Sequence, residues 1–490
     1  MGGVAGLTLI LSMVRTKFAA ILIGTAGVGL SSNFTAIQGV VGAIAGLGIQ
    51  SSAVRDIATA VARNNDEEIG RTVLSLRRIC LLTGSFGMLT MALMSPLLSQ
   101  WTFGSAKYRW DIGALGIVIL LVNIQGGQIA LIQGMRRIGD LARVQLFGAL
   151  IGTLLTVGFY FWLGVRGIVP ALVFMASFQL LISWRVAKKI EVPAVIMSWR
   201  ASFRQASGMV RLGVAMMWTG LLGSAVAYAT NAMITHEINV QAVGIYSAAF
   251  SLSGVFVNFV LNAMGADYYP RLSGVAHDRV AMNHLVNEQT EIGLLLVAPG
   301  LMVTIALAPL VIHVFYTQEF LPAANLLQWL VLGCLGRVIS WPLGFVMLAL
   351  NKGKLFFIAE TCGQFLNLLL VFLGLMTFGL EGISIGFCIL YIAYIAIALY
   401  ITKNLTDFCW SSSSKYLLVC VCTLVVATFC AGRFLPAIPG AGIGLLLTLL
   451  GLIISMRGLL KRLDDSHRFV KILLRIPGMQ SLNSIHFRFF

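Results

Sequence analysis

What this sequence has least of is charge. Aspartate, glutamate, lysine and arginine make up 11% of its 490 residues, while 58% are hydrophobic and the mean hydropathy is +0.92. About a quarter of a soluble domain is charged, so this balance excludes a water-soluble globular protein. Acidic residues are scarcer still, 18 against 34 lysines and arginines. The eight cysteines are scattered, and the one close pair, Cys420 and Cys422, has no histidine or carboxylate beside it. Neither a disulfide framework nor a metal site follows, and no cofactor is expected. No polar interval is long enough for a soluble domain, the longest, near 185–211, fitting a loop or an interfacial helix. A membrane polymerase or ligase needs a large external loop for its acceptor, and no such loop is present, so no catalytic residues are assigned and the chain does not read as an enzyme.

What is there is a succession of apolar runs. A helix needs about 20 apolar residues to cross the hydrocarbon core, and such runs fall near 4–23, 32–54, 79–98, 112–133, 142–163, 168–187, 212–233, 244–265, 291–315, 323–350, 355–376, 382–402, 416–434 and 442–458. The predicted fold is an all-α integral membrane protein of about fourteen transmembrane helices. Arg15 and Lys17 interrupt the first run, which reads as a retained helix and not as a cleaved signal. A net charge of +16 does not point to nucleic acid here. Most of the cations sit in alternate short loops and in the tail, as the positive-inside rule requires of cytoplasmic segments. That places both termini in the cytoplasm. The segment Asn65–Arg78, rich in both signs of charge, reads as an interfacial amphipathic helix.

The chain repeats itself at an offset near 215 residues. Val28-Gly29-Leu30 meets Val243-Gly244-Ile245, Gly164-Val165-Arg166-Gly167-Ile168 meets Gly379-Leu380-Glu381-Gly382-Ile383, and Gly148 meets Gly363. Six spans separate equivalent points, so both halves enter the membrane in the same direction, as parallel repeats do. The expected architecture is an N-terminal six-helix lobe (1–187), a cytoplasmic linker (188–211) and a C-terminal six-helix lobe (212–402) around a central cavity. Two extra transmembrane helices and a basic cytoplasmic tail (403–490) follow.

An ionisable group inside a span costs about 2.5–3.5 kcal/mol on insertion scales, and by default it lines a wet path or has a partner. Arg15, Lys17, Arg337 and Glu360 are such groups. Arg15 and Lys17 are two apart, so they point about 200° away from each other on a helix. Arg15 shares its face with Thr8, Ser12 and Ala19, which favours it as the inward charge, whereas Lys17 lies among Ile10, Met13, Val14 and Ile21. The plain alternative for either is a side chain that reaches to the interface. Arg337 is near the middle of its span, and Glu360, whose repeat counterpart is the neutral Gln145, is a candidate for coupling to protons or a partner for Lys352 or Lys354. Asn258 and Asn262, at i and i+4, and Gln125, Gln128 and Gln133 offer amides to sugar hydroxyls or to neighbouring helices.

The run Lys17-Phe18-Ala19-Ala20-Ile21-Leu22-Ile23-Gly24-Thr25-Ala26-Gly27-Val28-Gly29, with Asn33-Phe34 and Ala45-Gly46-Leu47-Gly48-Ile49 after it, resembles the opening of bacterial lipid-linked oligosaccharide flippases of the O-antigen and enterobacterial-common-antigen type. The likeness continues through Phe103-Gly104, Gly134-Met135-Arg136-Arg137, Tyr269-Pro270-Arg271-Leu272-Ser273, Phe320, Ala359-Glu360 and Gln364-Phe365, covering about 4–402. It implies membership of the multidrug/oligosaccharidyl-lipid/polysaccharide exporter superfamily. It also implies movement of an undecaprenyl-pyrophosphate-linked oligosaccharide between leaflets by alternating access, for surface polysaccharide and lipopolysaccharide biosynthesis. Basic residues at the places of Lys17, Arg55 and Arg337 would hold the pyrophosphate, which sets Lys17 against the pattern that favours Arg15. The partners implied are the lipid-linked glycan, membrane lipids and other polysaccharide assembly proteins. The two extra helices depart from the usual twelve and keep a peptidoglycan precursor open as cargo. A multidrug exporter fits less well with intramembrane charges that are mainly basic, and a scaffold that transports nothing leaves the arginines without a role.

Overall fold

Hydrocarbon offers no partner to backbone N–H and C=O groups, so a chain this apolar has to satisfy them within its own helices. The computed structural model describes residues 2–462, the side chains of 211, 212, 215 and 216 excepted. Four of the expected tail cations, Arg468, Lys471, Arg475 and Arg488, lie outside the described residues. The helices are α1 (Gly2–Gly46), α2 (Ile49–Ala62), α3 (Asp66–Phe103), α4 (Arg109–Gly134), α5 (Ile138–Leu163), α6 (Ile168–Ala187), α7 (Trp199–Glu237), α8 (Val240–Gly274), α9 (Arg279–Ala306), α10 (Ala308–Phe315), α11 (Ala323–Ala349), α12 (Gly353–Thr406), α13 (Ser412–Phe434) and α14 (Ala437–Arg462). The described residues contain no strand.

Every expected span is on a helix, but the helices are cut differently. Among the described residues ten helical stretches are long and apolar enough to cross a membrane, and three of them, of 44, 50 and 54 residues, are long enough to cross twice. Each of the three breaks at a glycine: Gly24 (φ 61°) in α1, Gly164 (φ 55°) between α5 and α6, and Gly379 (φ 61°) in α12. A left-handed φ costs glycine nothing and any other residue about 1 kcal/mol or more. The expected second span is divided between α1 and α2, and the ninth between α9 and α10. The segment expected as a separate interfacial helix is instead the opening of α3, capped by the Asn65 side chain on the Glu68 N–H. Arg78 then reaches the Met197 carbonyl (2.8 Å) and the Ser202 hydroxyl (2.7 Å) and lies over the Trp199 ring, which ties α3 to the end of the 188–198 linker and the first turn of α7.

The repeat extends to backbone conformation. Gly164 and Gly379 share not only φ but ψ, −133° and −141°. Arg136 and Asn351, at the same offset, both have φ 55°, and the residues after them cap the next helix with similar angles. Equivalent residues also touch one another. A methyl built on Gly29 would sit 1.9 Å from the Val240 carbonyl oxygen, and one on Gly244 would sit 2.1 Å from the Thr25 carbonyl oxygen; Ser247 donates to Ser32 at 2.7 Å across the same 215-residue separation. Thr25 and Val240, Gly29 and Gly244, and Ser32 and Ser247 are equivalent pairs, so α1 and α8 meet through one patch used twice, as at a two-fold interface.

By packing, the described residues form two units. The first runs to Ser247 and takes in Val314–Phe320; the second holds Ala248–His313 and everything from Leu321 on. The six-helix lobes of the repeat are drawn differently, because α7 packs in the first unit against α1, α2 and α3. In the second unit α13 and α14 lie on α9. Methyls on Gly444, Gly451 and Gly458 would come within 2.7–2.9 Å of Ala306, Met302 and Leu295, so this stripe of α14 is flush against α9. Arg462 pairs with Glu291 at 2.6 Å, and Ser414 donates to the same carboxylate at 2.7 Å.

Gly244→Val, which forces the α1–α8 crossing apart, is expected to destabilise the protein by about 3 kcal/mol. Gly158→Ala, where a methyl meets nothing within 4 Å, should be neutral or stabilising by up to about 1 kcal/mol. Thermal unfolding of the purified protein in detergent ranks the two against the parent.

Candidate functional site

The charged candidates are distributed over both units. Arg15, Lys17 and Arg55 are in the first; Asn258, Asn262, Arg337 and Glu360 are in the second. Arg15 and Lys17 diverge as their spacing requires. The Arg15 guanidinium lies 3.6 Å from the Met175 sulfur on α6 and within electrostatic reach of Tyr160 on α5, so it points into the packing of α1 on α5 and α6. Lys17 turns the other way and donates to the Tyr316 carbonyl, in the Val314–Phe320 segment that packs with the first unit. Glu319 of that segment comes close to the Gly24 break in α1. Arg55 is exposed on α2, with Asp56 at 4.0 Å. Burial pushes the Asp56 carboxyl above the usual carboxylate range, with Arg55 pulling the other way.

The densest constellation is in the second unit, where α12 folds back on itself at Gly379. The two arms touch backbone to backbone: a methyl on Gly374 would lie 2.2 Å from the Gly382 carbonyl oxygen, and one on Gly382 would lie 1.9 Å from that of Gly374. This close return brings Tyr394 of the second arm over Gly363 of the first, and its hydroxyl donates to Glu360 Oε1 at 2.6 Å. Lys352 and Lys354 are exposed, and neither pairs with Glu360. Gly336 plays the matching part on α11, where a methyl would come within 2.8 Å of the Tyr391 Cβ. Tyr391 is thereby held beside Arg337, and its ring is 6.4 Å from that of Tyr394.

The result is a continuous polar track, Arg337, Tyr391, Tyr394, Glu360, through a region that is otherwise apolar. Arg337 is half-buried, and among the described residues its guanidinium has no ion pair and no hydrogen bond. A guanidinium is a planar fork of donors whose geometry matches a carboxylate or a phosphate. The first repeat builds the same scaffold with amides, Gly148 lying against Gln179, with Gln145 in the place of Glu360.

Asn258 and Asn262 are both exposed on the middle of α8, and neither side chain forms a hydrogen bond among the described residues. Gln125 and Gln128 are buried instead, at 8% and 7% exposure, and belong to the packing of α4. Sequence reasoning singled out Arg337 and Glu360 but missed Tyr391, Tyr394 and the Glu291–Arg462 pair. Tyrosine in an apolar helix carries no signal of its own, and Glu291 falls on the edge of its span.

A family described as "Polysaccharide biosynthesis protein" matches residues 21–325. The chain is 24% identical over 362 residues to the "Lipid III flippase" of Escherichia coli (strain K12), covering 73% of this chain and 85% of that protein, and matches that of Shigella flexneri equally. Its fold is similar to the inward-facing conformation of a multidrug resistance MATE family transporter of the MOP superfamily, with a TM-score of 0.69 at 14% identity over 82% of this chain and 96% of that one. It is similar also to the lipid II flippase MurJ in an inward closed conformation, with a TM-score of 0.68 at 14% identity over 96% and 98%.

Tyr394→Phe removes the hydroxyl from Glu360 and is expected to lower stability by about 0.5–1.5 kcal/mol. Glu360→Gln leaves an acceptor for the same hydroxyl and should cost less. Unfolding in detergent, followed by intrinsic fluorescence, compares the two.

Proposed function

Because this chain belongs to the polysaccharide biosynthesis protein family, we propose that it carries a polyprenyl-pyrophosphate-linked oligosaccharide across a bacterial inner membrane by alternating access, so that the glycan reaches the outer leaflet. The observation that carries the reading is Arg337, a mid-span guanidinium without a counter-ion among the described residues. An anionic headgroup supplies what it lacks, while the polyprenyl tail stays in lipid. Lys17, Arg15 and Arg55 are further cations offered to the anionic headgroup in this reading. The excess of cations in alternate loops supports an inward N-terminus. This is transport and not catalysis: no bond in the cargo changes.

Glu360 has the coupling role. Its proton occupancy biases the track between two electrostatic states: with Glu360 ionised, Arg337 is partly balanced through the tyrosines, and with Glu360 neutral, the guanidinium is free to take the pyrophosphate. A bound proton and a bound anion then favour each other, as linkage between two sites requires.

The test uses proteoliposomes loaded with a labelled undecaprenyl-pyrophosphate oligosaccharide or with a labelled peptidoglycan precursor, and follows exposure to an impermeant glycosidase. The parent protein should accelerate exposure of the first over protein-free vesicles; acceleration of the second instead would reassign the cargo. Arg337→Ala should slow the process about tenfold or more, the cost of losing one charge-assisted contact, without loss of thermal stability. Glu360→Gln should transport at a rate indifferent to an imposed pH gradient. If the parent and Glu360→Gln respond alike to the gradient, the coupling role is lost.

A further inference from the structure

The second unit carries a stripe that runs on from Arg337 and whose other members have no role so far. On α8, Asn258, Asn262, Gly265 and Tyr269 recur at helical spacing along one face; on α11, Arg337, Trp341 and Phe345 do the same. Three contacts set the two helices in register. Cys334 lies 3.6 Å from the Ser253 carbonyl, the Trp341 indole lies over Gly265, where a methyl would come within 3.1 Å of it, and the Phe345 ring is 5.7 Å from that of Tyr269. Arg337 falls between the first two contacts on its helix, and so do Asn258 and Asn262 on theirs.

Two features mark this face as wet. Asn258 and Asn262 are exposed in the middle of a membrane-spanning helix, with no hydrogen bond among the described residues. An amide facing hydrocarbon without a partner costs several kcal/mol, so the face they occupy opens on water or on a polar ligand. Trp341 is half-buried, braced by Tyr268 at 5.7 Å and by Phe345 at 4.8 Å between ring centres. Gly265 leaves no side chain between α8 and the indole, so the ring is held rigid beside the amides.

We propose that this face is the saccharide-recognition wall of the carrier, with Trp341 as a stacking platform for a pyranose ring and Asn258 and Asn262 as hydrogen-bonding partners for its hydroxyls. The inference rests on the reading that the cargo is a lipid-linked glycan and adds which residues meet the sugar. The chemistry matches. A pyranose ring has an apolar C–H face suited to the electron-rich face of an indole, and hydroxyls at its rim that both donate and accept, as a carboxamide does. The asparagines are four residues apart, about 6 Å along the helix, the scale on which hydroxyls are spread across one ring. Arg337, on the same stretch of α11, takes the pyrophosphate to which the first sugar is joined. Selection among glycans then falls to the amides and the indole, and affinity for the shared pyrophosphate to the cation.

Two lipids separate these roles: an undecaprenyl pyrophosphate carrying a trisaccharide, and undecaprenyl pyrophosphate without sugar. Binding of each to the full chain in lipid nanodiscs is measured for the parent, Asn262→Ala, Trp341→Leu, Trp341→Phe and Arg337→Gln. Asn262 is exposed and unbonded, so its replacement does not threaten the fold. Asn262→Ala and Trp341→Leu should weaken the glycan-bearing lipid about tenfold and the bare lipid less than about twofold, the loss of one ligand contact and no more. Trp341→Phe should recover most of the affinity, because it restores an aromatic face. Arg337→Gln should weaken both lipids alike. Equal weakening of both lipids by Trp341→Leu, or glycan binding at the parent level in Asn262→Ala and Trp341→Leu, overturns the wall while leaving the carrier standing. A parent protein that binds neither lipid overturns the carrier reading, and this site with it.

Discussion

The contact on which the rest of the molecule depends is the crossing of α1 and α8 at Gly29 and Gly244. Backbone meets backbone there, with the Thr25 and Val240 carbonyls in the space that side chains would fill. Lipid tails are as apolar as leucine, so helices gain nothing by hiding apolar surface from them, and close approach of small residues supplies the packing instead. Since the two patches are equivalent in the repeat, the crossing is self-complementary. It joins the start of α8 to the second arm of α1, and so fixes where the first arm, with Arg15 and Lys17, leaves the Gly24 break.

Around that crossing the scaffold is symmetric and the chemistry is not. The breaks at Gly164 and Gly379, the positive-φ residues at 136 and 351, and the glycine seats at 148 and 363 recur, while Gly24 falls opposite Asn239. The charges do not. At the repeat offset Arg337 answers to Val122, Arg15 to Thr230, Lys17 to Ala232, and Glu360 to Gln145. Backbone geometry is shared where glycines recur at the offset, as at Gly29 and Gly244 and at Gly164 and Gly379. A charge inside a span is costly wherever it stands, so nothing in the shared scaffold requires it to be repeated.

Much of the fold was legible because hydrocarbon imposes a length and an apolar composition on every crossing segment, and hydropathy reads both. The breaks were legible where glycine recurs in the repeat, as at Gly164 and Gly379. Gly24 was harder to read, since one glycine among several in an apolar run does not announce a left-handed φ, and the chain there stays helical on both sides. The start of α3 was misread as a separate helix because its charges end where the apolar run begins, while the backbone continues without interruption. Of the site, the charged members were legible by the cost of placing them in lipid. The tyrosines were not, because Tyr394 meets Glu360 across 34 residues, by virtue of a hairpin that only the folded α12 creates. Hydropathy describes each helix against lipid and is silent about which helices meet.

The two C-terminal helices show how an added element is made permanent in a solvent that does not push helices together. A glycine every seven residues lets α14 lie on α9, and an ion pair closes each end: Arg462 with Glu291 at one, and Arg433 with Glu381 at 2.9 Å at the other. Both pairs are partly exposed, so each is worth more than a fully solvated surface pair and less than a buried one. Glu381 stands at the repeat position of Arg166. The loop that carries a cation in the first repeat thus carries the opposite charge in the second, where α13 brings Arg433 beside it. Helices α13 and α14 are thereby tied to α9 and α12 within the second unit, at both ends and along the glycine stripe.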